Sequence, residues 1–487
     1  VEKEILDQKQ VRIEKMEKLR EMGVNPYPYR FERTHLLREV REKAAELEGA
    51  DGIAISGRII ARRGHGKTIF ADMTDGTATL QVYFRKDTLE DRLFEVAGLI
   101  DIGDFIGVKG EVFKTSTGEL TLLVKELEFL SKSLFPLPEK WHGLKDVEIR
   151  YRQRYLDLIM NDEVRAVFIK RARIISKMRE ILDSKGFIEV ETPVLQPLYG
   201  GAFASPFKTY YNVLDRDYFL RISDELYLKR LIIGGFDKVY EICKDFRNEG
   251  IDRSHCPEFT MLELYQAYAD YTDMMKLTEE LICGACEEIV GSLKITFQEK
   301  QVDLKPPWKR LSFFKGIESA VGRDVKDLAR DEVYKLAKQH GLDVDEQASR
   351  GNLLDELFSE LVQPTIIDPT FIVDYPLEIS PLAKKHREQE GLVERFEPIV
   401  AGMEIGNAFS ELNDPFDQRK RFEAQAAAQK AGDGEAQVLD EDFLQAMEYG
   451  MPPTGGLGLG IDRIVMLLAD IPSIREVIIF PQLKSKE

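Results

Sequence analysis

The chain has 487 residues, with 68 basic against 86 acidic side chains and a net charge of −18. That balance argues against a general nucleic-acid coat and against non-specific DNA binding, whose affinity comes from neutralising phosphates. Hydrophobic residues at 43% and charged residues at 32% make a globular mixture, and four cysteines in so long a chain exclude a disulfide scaffold and fit a reducing compartment. The longest apolar runs, such as Ile464–Ala469, are far below the ~18–20 residues of a membrane span. Val1–Ile5 has no apolar core of a secretory signal. The expectation is a cytoplasmic multidomain protein without a membrane partner.

Residues 1–51 read as an N-terminal helical segment. Ile5, Val11, Ile13, Met16 and Leu19 recur at helical spacing, Asn25-Pro26-Tyr27-Pro28 interrupts the pattern, and a second helical run covers Thr34–Leu47. From about Gly52 the period changes to two. Five apolar-alternating runs begin at Ile53, Thr68, Ala78, Phe105 and Leu120, separated by turns such as Asp75-Gly76 and Thr117-Gly118, with a helical insert near 87–98. Residues 52–133 therefore predict a five-stranded Greek-key barrel of the OB kind. Residues 134–148, containing Leu134-Phe135-Pro136-Leu137-Pro138, read as a linker. Residues 149–487 mix long helices with isolated strands and lack regular strand–helix alternation, which predicts an α+β domain on an antiparallel sheet. Helical patterns cover about 265–290 and 326–362, the latter within an insertion at about 305–365.

Three stretches of the large domain carry chemistry. Lys185-Gly186-Phe187-Ile188-Glu189-Val190-Glu191-Thr192-Pro193 reads as a helix end, a strand and a proline stop; by itself it is an ordinary C-cap. Phe246-Arg247-Asn248-Glu249 precedes a loop and His255-Cys256-Pro257-Glu258-Phe259. A hairpin with a solvated charged loop would also fit. Alternation, however, puts Arg247 and Glu249 on one strand face, where an arginine fork suits phosphate and carboxylate oxygens, and Phe259 is placed to stack on a base. Gly455-Gly456-Leu457-Gly458-Leu459-Gly460-Ile461-Asp462-Arg463 matches neither the dinucleotide fingerprint nor the Walker pattern. Its alternating glycines suit a strand that something flat approaches closely.

In order and separation these stretches resemble motifs 1, 2 and 3 of class II aminoacyl-tRNA synthetases, and the whole chain resembles the bacterial-type lysyl-tRNA synthetases among them. The resemblance implies an N-terminal OB-fold anticodon-binding domain, a class II catalytic domain with an antiparallel sheet flanked by helices, and a homodimer through motif 1. It implies a ligase that takes ATP, lysine and tRNA(Lys), forming lysyl-adenylate and pyrophosphate and then transferring lysyl to the 3′-terminal ribose. Arg247 matches the arginine that bridges α-phosphate and substrate carboxylate, with Glu249 beside it. Arg463 matches the motif 3 arginine near the γ-phosphate, on adenine opposite Phe259, and His255 the residue that reaches the terminal phosphates. Glu397 and Glu404 match the Mg²⁺ ligands, and carboxylates with phosphate oxygens are the hard donors this ion prefers. Without the family, two glutamates at that spacing read as solvated surface.

The amino acid is chosen by charge. By resemblance Glu225, Tyr265 and Glu411 surround the ε-ammonium, Gly201 and Glu263 face the α-amino group, and Asn407 and Phe409 complete the pocket. Carboxylates at the side-chain end suit lysine and are physically wrong for aspartate, whose enzyme shares the architecture. In the barrel, Arg63, Phe70 and Gln81 match anticodon-contacting positions: Phe70 suits stacking on a splayed base, Gln81 suits reading an edge, and a core phenylalanine is the bland alternative. Cys283-Gly284-Ala285-Cys286 lies in a helical pattern, which disfavours zinc. Cys256 departs from the asparagine usual after the loop histidine. A paralogue that lysylates a protein would lack the barrel, and a non-catalytic tRNA-binding relative would not keep Arg247, Glu404 and Arg463 together.

Overall fold

The structure is a computed structural model that describes residues 2–138, 144–430 and 439–484. The chain divides into two compact units, Val1–Arg150 with Tyr155–Asp162, and Tyr151–Arg154 with Glu163–Glu487. Of the interval 134–148 read as linker, 139–143 lie outside the described residues.

The first unit opens on a helix, Glu2–Glu21. The second helical run starts at Leu37 rather than Thr34 and breaks at Lys43 into Leu37–Glu42 and Ala44–Leu47. Thr34 is withheld from it because its N–H donates to the Ala54 carbonyl (2.8 Å) and its hydroxyl accepts from the Ala54 N–H (3.0 Å). Five strands follow: β1 (Ile53–His65), β2 (Thr68–Thr74), β3 (Thr79–Arg85), β4 (Phe105–Lys114) and β5 (Leu120–Ser131). They close into a barrel in the order β1-β2-β3-β5-β4, with β3 and β5 parallel. The period-two pattern decides which side chains fill it: Ile69, Ala71 and Met73 of β2 point into the barrel core, and Phe70 stays outside.

In the second unit, the helix Asp162–Ser184 ends at Gly186, whose φ of +78° a residue with a side chain adopts at a cost, and β6 (Ile188–Glu189) follows. β7 (Leu195–Gln196), β8 (Lys208–Tyr211) and β9 (Arg216–Leu220) form a small separate sheet. β10 (Lys238–Phe246) and β11 (Glu258–Ala267) make a long antiparallel hairpin. β11 runs to Ala267, so the helix predicted from about 265 starts at Tyr271 instead, capped by the Asp270 carboxylate. β12 (Lys294–Phe297) and β13 (Lys300–Asp303) pair only with each other. The insertion is not purely helical: its β14 (Lys309–Ser312) pairs in parallel with β15 (Thr370–Pro376) at the sheet edge, before the helices Phe313–Val321, Arg330–Gln339 and Arg350–Leu361. β16 (Leu392–Val400), β17 (Met403–Glu404), β18 (Gly406–Ser410) and β19 (Thr454–Gly460) complete the sheet.

Its order is β14-β15-β16-β18-β19-β11-β10-β6, with β17 on β16. Pairing is antiparallel throughout the centre and parallel only at the two edges. One face is sealed by apolar residues of alternate positions, among them Leu262, Leu264, Leu457 and Leu459, against the helices Tyr271–Val290 and Ile461–Ala469. The other face is left for polar side chains.

Candidate active site

On that open face, β18, β19 and β11 lie side by side in a register that sets the site in rows. Asn407 pairs with Gly458, which pairs with Glu263; Phe409 pairs with Gly456, which pairs with Tyr265. The glycines are there for space. A Cβ on Gly458 would stand 2.5 Å from Glu263 Oε1, and one on Gly456 would collide with the Glu411 carboxylate and the Tyr265 ring. What approaches this strand closely is therefore the protein's own pocket side chains. Gly201, at φ +90°, has the Ser223 hydroxyl 2.8 Å from where a Cβ would be.

Above these rows opens a cavity of about 480 Å³. Gly201, Glu225, Glu263, Tyr265, Asn407 and Phe409 line one part of it; Arg247, Glu249, His255, Phe259 and Arg463 line another, with Glu397 and Glu404. Glu411 is fully buried beside the first group and does not line the cavity.

The first part is crowded with acids. Glu225 opens the helix Glu225–Ile233 and is buried. The Tyr265 hydroxyl donates to Glu263 Oε2 at 3.2 Å. Burial, with Glu225 and Asp245 nearby, holds the Glu263 carboxyl well above the usual range, and burial pushes Glu411 up to about 8 even though Lys229 opposes the shift. Asp224, with no hydrogen-bond partner, is pushed well up in the same way by burial and by Glu263. It lies near Cys243 and Asp245, but the Arg221 guanidinium, 3.4 Å from Asp245, already supplies the positive charge there. A pocket so rich in acids and poor in cations suits a cationic ligand.

The second part carries the positive charge. Arg247 lies beyond β10, not in it, which corrects the expectation of a shared strand face with Glu249: its N–H still reaches Pro257 O (2.9 Å), and then Asn248 turns away to Ser205 O (2.8 Å). The Arg247 guanidinium covers one face of Phe259 at 4.9 Å, and its buried Nε has no hydrogen-bond partner. Glu249 is exposed at the rim. Arg463 donates to the Glu404 carbonyl (2.8 Å) and carboxylate (3.1 Å), with His255 Nε2 3.4 Å away. His255 Nδ1 is 2.8 Å from Asp252, whose carboxyl burial raises but hydrogen bonds from the His255 and Ser254 groups hold far below its usual value.

Glu397 and Glu404 face the same cavity from β16 and β17, with Asp355 of the insertion. Burial raises the Glu397 carboxyl to about 7, with Arg395 opposing and Glu404 and Asp355 adding to the rise. Three acids gathered on one cavity, of which Arg395 and Arg463 pair with two, are a fitting donor set for a hard divalent cation.

Some residues of the site are not evident from sequence. Arg395, half-buried, donates to Asn407 Oδ1 (3.0 Å) and Glu397 Oε1 (2.6 Å) and so joins the two parts. Asp462 anchors motif 3 to motif 2 by accepting from the Thr260 N–H (2.8 Å) and from Arg171 (2.5 Å). Asp355 carries no local signal, because the insertion brings it in from far along the chain.

In the barrel, Arg63, Phe70 and Tyr83 form one row across β1, β2 and β3. Phe70 is outside the core and stacks on Tyr83 at 4.2 Å with the rings 8° from parallel, a platform whose second ring the alternation from Gln81 to Tyr83 would have revealed. Gln81, in the next row beside Asp72, accepts from the Thr121 hydroxyl (3.0 Å), and Arg63 lies 3.6 Å from Asp72. The cysteines are all free. Burial pushes the Cys283 thiol up to about 12 and Cys286 to about 11, and each donates to a backbone carbonyl.

Residues 146–484 match the family described as tRNA synthetases class II (D, K and N), and residues 53–130 match the OB-fold nucleic acid binding domain. The chain is 53% identical over 489 residues to a protein named lysine–tRNA ligase from Pelotomaculum thermopropionicum, a match that covers 100% of this chain and 96% of the relative. The lysine–tRNA ligase of Moorella thermoacetica is 53% identical, with 98% of each chain covered. That of Nostoc sp. is 52% identical, over 98% of this chain and 88% of its own.

Proposed function

The chain belongs to the lysine–tRNA ligases of the class II tRNA synthetase family, and on that premise we propose how its residues divide the work of the reaction. The enzyme activates lysine with ATP to lysyl-adenylate and pyrophosphate, then transfers lysyl to the 3′-terminal ribose of its tRNA. The observation that carries the assignment of roles is that one cavity is lined both by the buried acids Glu225 and Glu263 and by the guanidinium groups of Arg247 and Arg463.

Lysine lies with its ε-ammonium among Glu225, Tyr265 and Glu411 and its α-amino group at Glu263 and the Gly201 backbone. Asn407 and Phe409 pack along its stem. Its carboxylate then points to Arg247, whose unpartnered Nε is free to hold it against the α-phosphate of ATP. Attack of that carboxylate on the α-phosphorus expels pyrophosphate, and charge grows on the phosphate oxygens as it does so. Arg247 answers that charge from a position already fixed on Phe259, which costs no reorganisation in the transition state. Arg463 and His255 hold the terminal phosphates, and adenine stacks at Phe259. Glu249, at the rim, positions the nucleotide. Glu397 and Glu404 hold Mg²⁺, which when bound neutralises phosphate charge. The ribose hydroxyl of the tRNA terminus attacks the adenylate carbonyl, and AMP leaves.

The aromatic platform on β2 and β3, with Arg63 and Gln81, receives the anticodon bases. Two copies pair through motif 1; exposed Ile188, Val194 and Leu195 in and just after it support that surface. The reaction and four cysteines free of disulfides support the cytoplasm as its location. Lysine-dependent exchange of pyrophosphate into ATP tests the roles in activation, and charging of tRNA(Lys) tests those of the barrel. Exchange that another amino acid drives better than lysine would overturn the pocket assignment.

A further inference from the structure

Lys229 is buried behind the acids that line the cavity, without a role in the reaction described above. It lies one helical turn after Glu225 and is fully buried. Its ammonium donates to Glu225 Oε1 at 2.5 Å, pairs with Glu411, and sits 5.9 Å from the ring centroids of both Tyr265 and Phe409. These are residues expected around the substrate's own ammonium. An ammonium of the protein thus occupies one side of the cage into which the ligand brings a second.

The cage does not balance without that second charge. Burial by itself would discharge Lys229, but Glu225 and Glu411 outweigh it and push its pKa up, so it stays an ammonium. One cation faces two carboxylates. Neither oxygen of Glu411 has a well-aligned donor, and its carboxyl remains raised to about 8 by burial despite Lys229. Arg395 also bears on Glu225, so among the described residues the shortfall falls on Glu411. From β11 comes another acid, Glu263, and Tyr265; from β16 comes Arg395, already engaged by Glu397 and Asn407; and Asp440 and Asp442, beside the same helix, are taken by Arg230.

We propose that Lys229 is a specificity-determining residue: a resident ammonium shared by Glu225 and Glu411 that cancels one of their two carboxylate charges and leaves one for one substrate ammonium to match. This rests on the lysine-activating reading. A cationic side chain completes the balance as Glu411 gives up its proton, and a neutral one leaves Glu411 unmatched.

The test is the KM for lysine in ATP–pyrophosphate exchange, measured from about pH 6 to pH 9 in wild type, K229M and the double variant E225Q/K229M. In wild type the KM falls as pH rises and levels off near about 8, where Glu411 is ionised. In K229M the KM at pH 7 rises at least about tenfold and the levelling point moves to higher pH, because Glu225 then repels the Glu411 charge without compensation. The double variant removes one acid with its cation, so its levelling point returns toward wild type, and the KM for ATP is unchanged in all three. K229M with the wild-type KM and pH profile overturns the proposal, as does a double variant no closer to wild type than K229M. If K229M does not fold, the double variant decides by its own levelling point: near wild type supports the charge count, and displaced upward refutes it. Wild-type protein that shows no lysine-dependent exchange overturns the lysine-activating reading along with this one, whereas normal wild-type exchange with an unaffected K229M removes the Lys229 proposal alone.

Discussion

On the proposed assignment Arg247 and Glu411 do opposite electrostatic work on one substrate, and each has its own signature. Arg247 acts where charge develops, so Arg247→Ala is expected to slow adenylate formation by ~10²–10³ with the fold intact, and single-turnover activation measures it. A near-normal rate would remove the residue from the chemistry. Glu411 acts on the ground-state charge of the substrate. One methylene is worth about 1–3 kcal/mol, so ornithine is rejected modestly, whereas norleucine leaves a buried carboxylate unpaired at roughly 3–5 kcal/mol. The comparison belongs above pH 8, where a carboxyl raised to about 8 is ionised. Glu411→Gln should narrow the gap between norleucine and ornithine, raise the KM for lysine and leave that for ATP unchanged. Unchanged order and spacing of lysine, ornithine and norleucine would show that Glu411 does not read the ammonium.

Among elements, the barrel and the large sheet solve different problems with the same period-two pattern. In β2, alternation sends Ile69, Ala71 and Met73 inward and so presents Phe70 outward onto Tyr83. In β11, alternation sends Leu262 and Leu264 into the core and presents Glu263 and Tyr265 to the cavity. The glycines of β19 then clear the space over which those side chains lean. Because the barrel has a core of its own, Phe70→Ala with Gln81→Ala is expected to weaken tRNA charging, by about 1–3 kcal/mol for the lost stacking, and to spare ATP–pyrophosphate exchange. An equal fall in both assays would mean that the barrel supports the catalytic fold instead of reading the tRNA.

For the whole molecule, the buried acids link stability to pH. The native carboxyls of Glu411, Glu397 and Asp245, all raised by burial, sit at about 8, about 7 and about 6. A carboxyl whose native value is raised contributes stability that is present below its unfolded value and lost as pH rises through the native one. Asp252, held low, is ionised throughout and drops out of the window. Each raised group therefore lowers stability by up to about 1.4 kcal/mol per pH unit from its unfolded value up to its own native one, so Asp245 stops contributing near pH 6, Glu397 near pH 7 and Glu411 near pH 8. The melting temperature of the ligand-free protein should fall over this window by a few degrees, and saturating lysine should reduce the fall by stabilising the ionised Glu411. Calorimetry at pH 6 and pH 8, with and without lysine, measures both; a melting temperature that rises with pH would contradict the linkage.

Short-range pattern was enough to place the barrel and the three motifs, because alternation, turn residues and glycine spacing are properties of neighbouring residues, whereas most candidate site residues came from the family resemblance those motifs carry. Glu263 and Tyr265 could be assigned to one face of a strand from their spacing alone. Their approach to Glu411, and the reason Gly456 and Gly458 have no side chains, follow from pairing between strands nearly 200 residues apart, which spacing does not contain. The same limit explains the misread helix starts at Thr34 and near residue 265, where a backbone partner or a lengthened strand overrode local helical periodicity. Charge balance lies furthest from the sequence. Lys229 is visible as a lysine one turn after a glutamate, a pair that on a surface would be worth about 0.3–0.5 kcal/mol. Only the packing of that helix on β10, β11 and the helix Glu441–Glu448 removes water from the pair, and the chain just after β18 adds Glu411 to it, so that in a buried site one missing cation becomes a demand for a ligand.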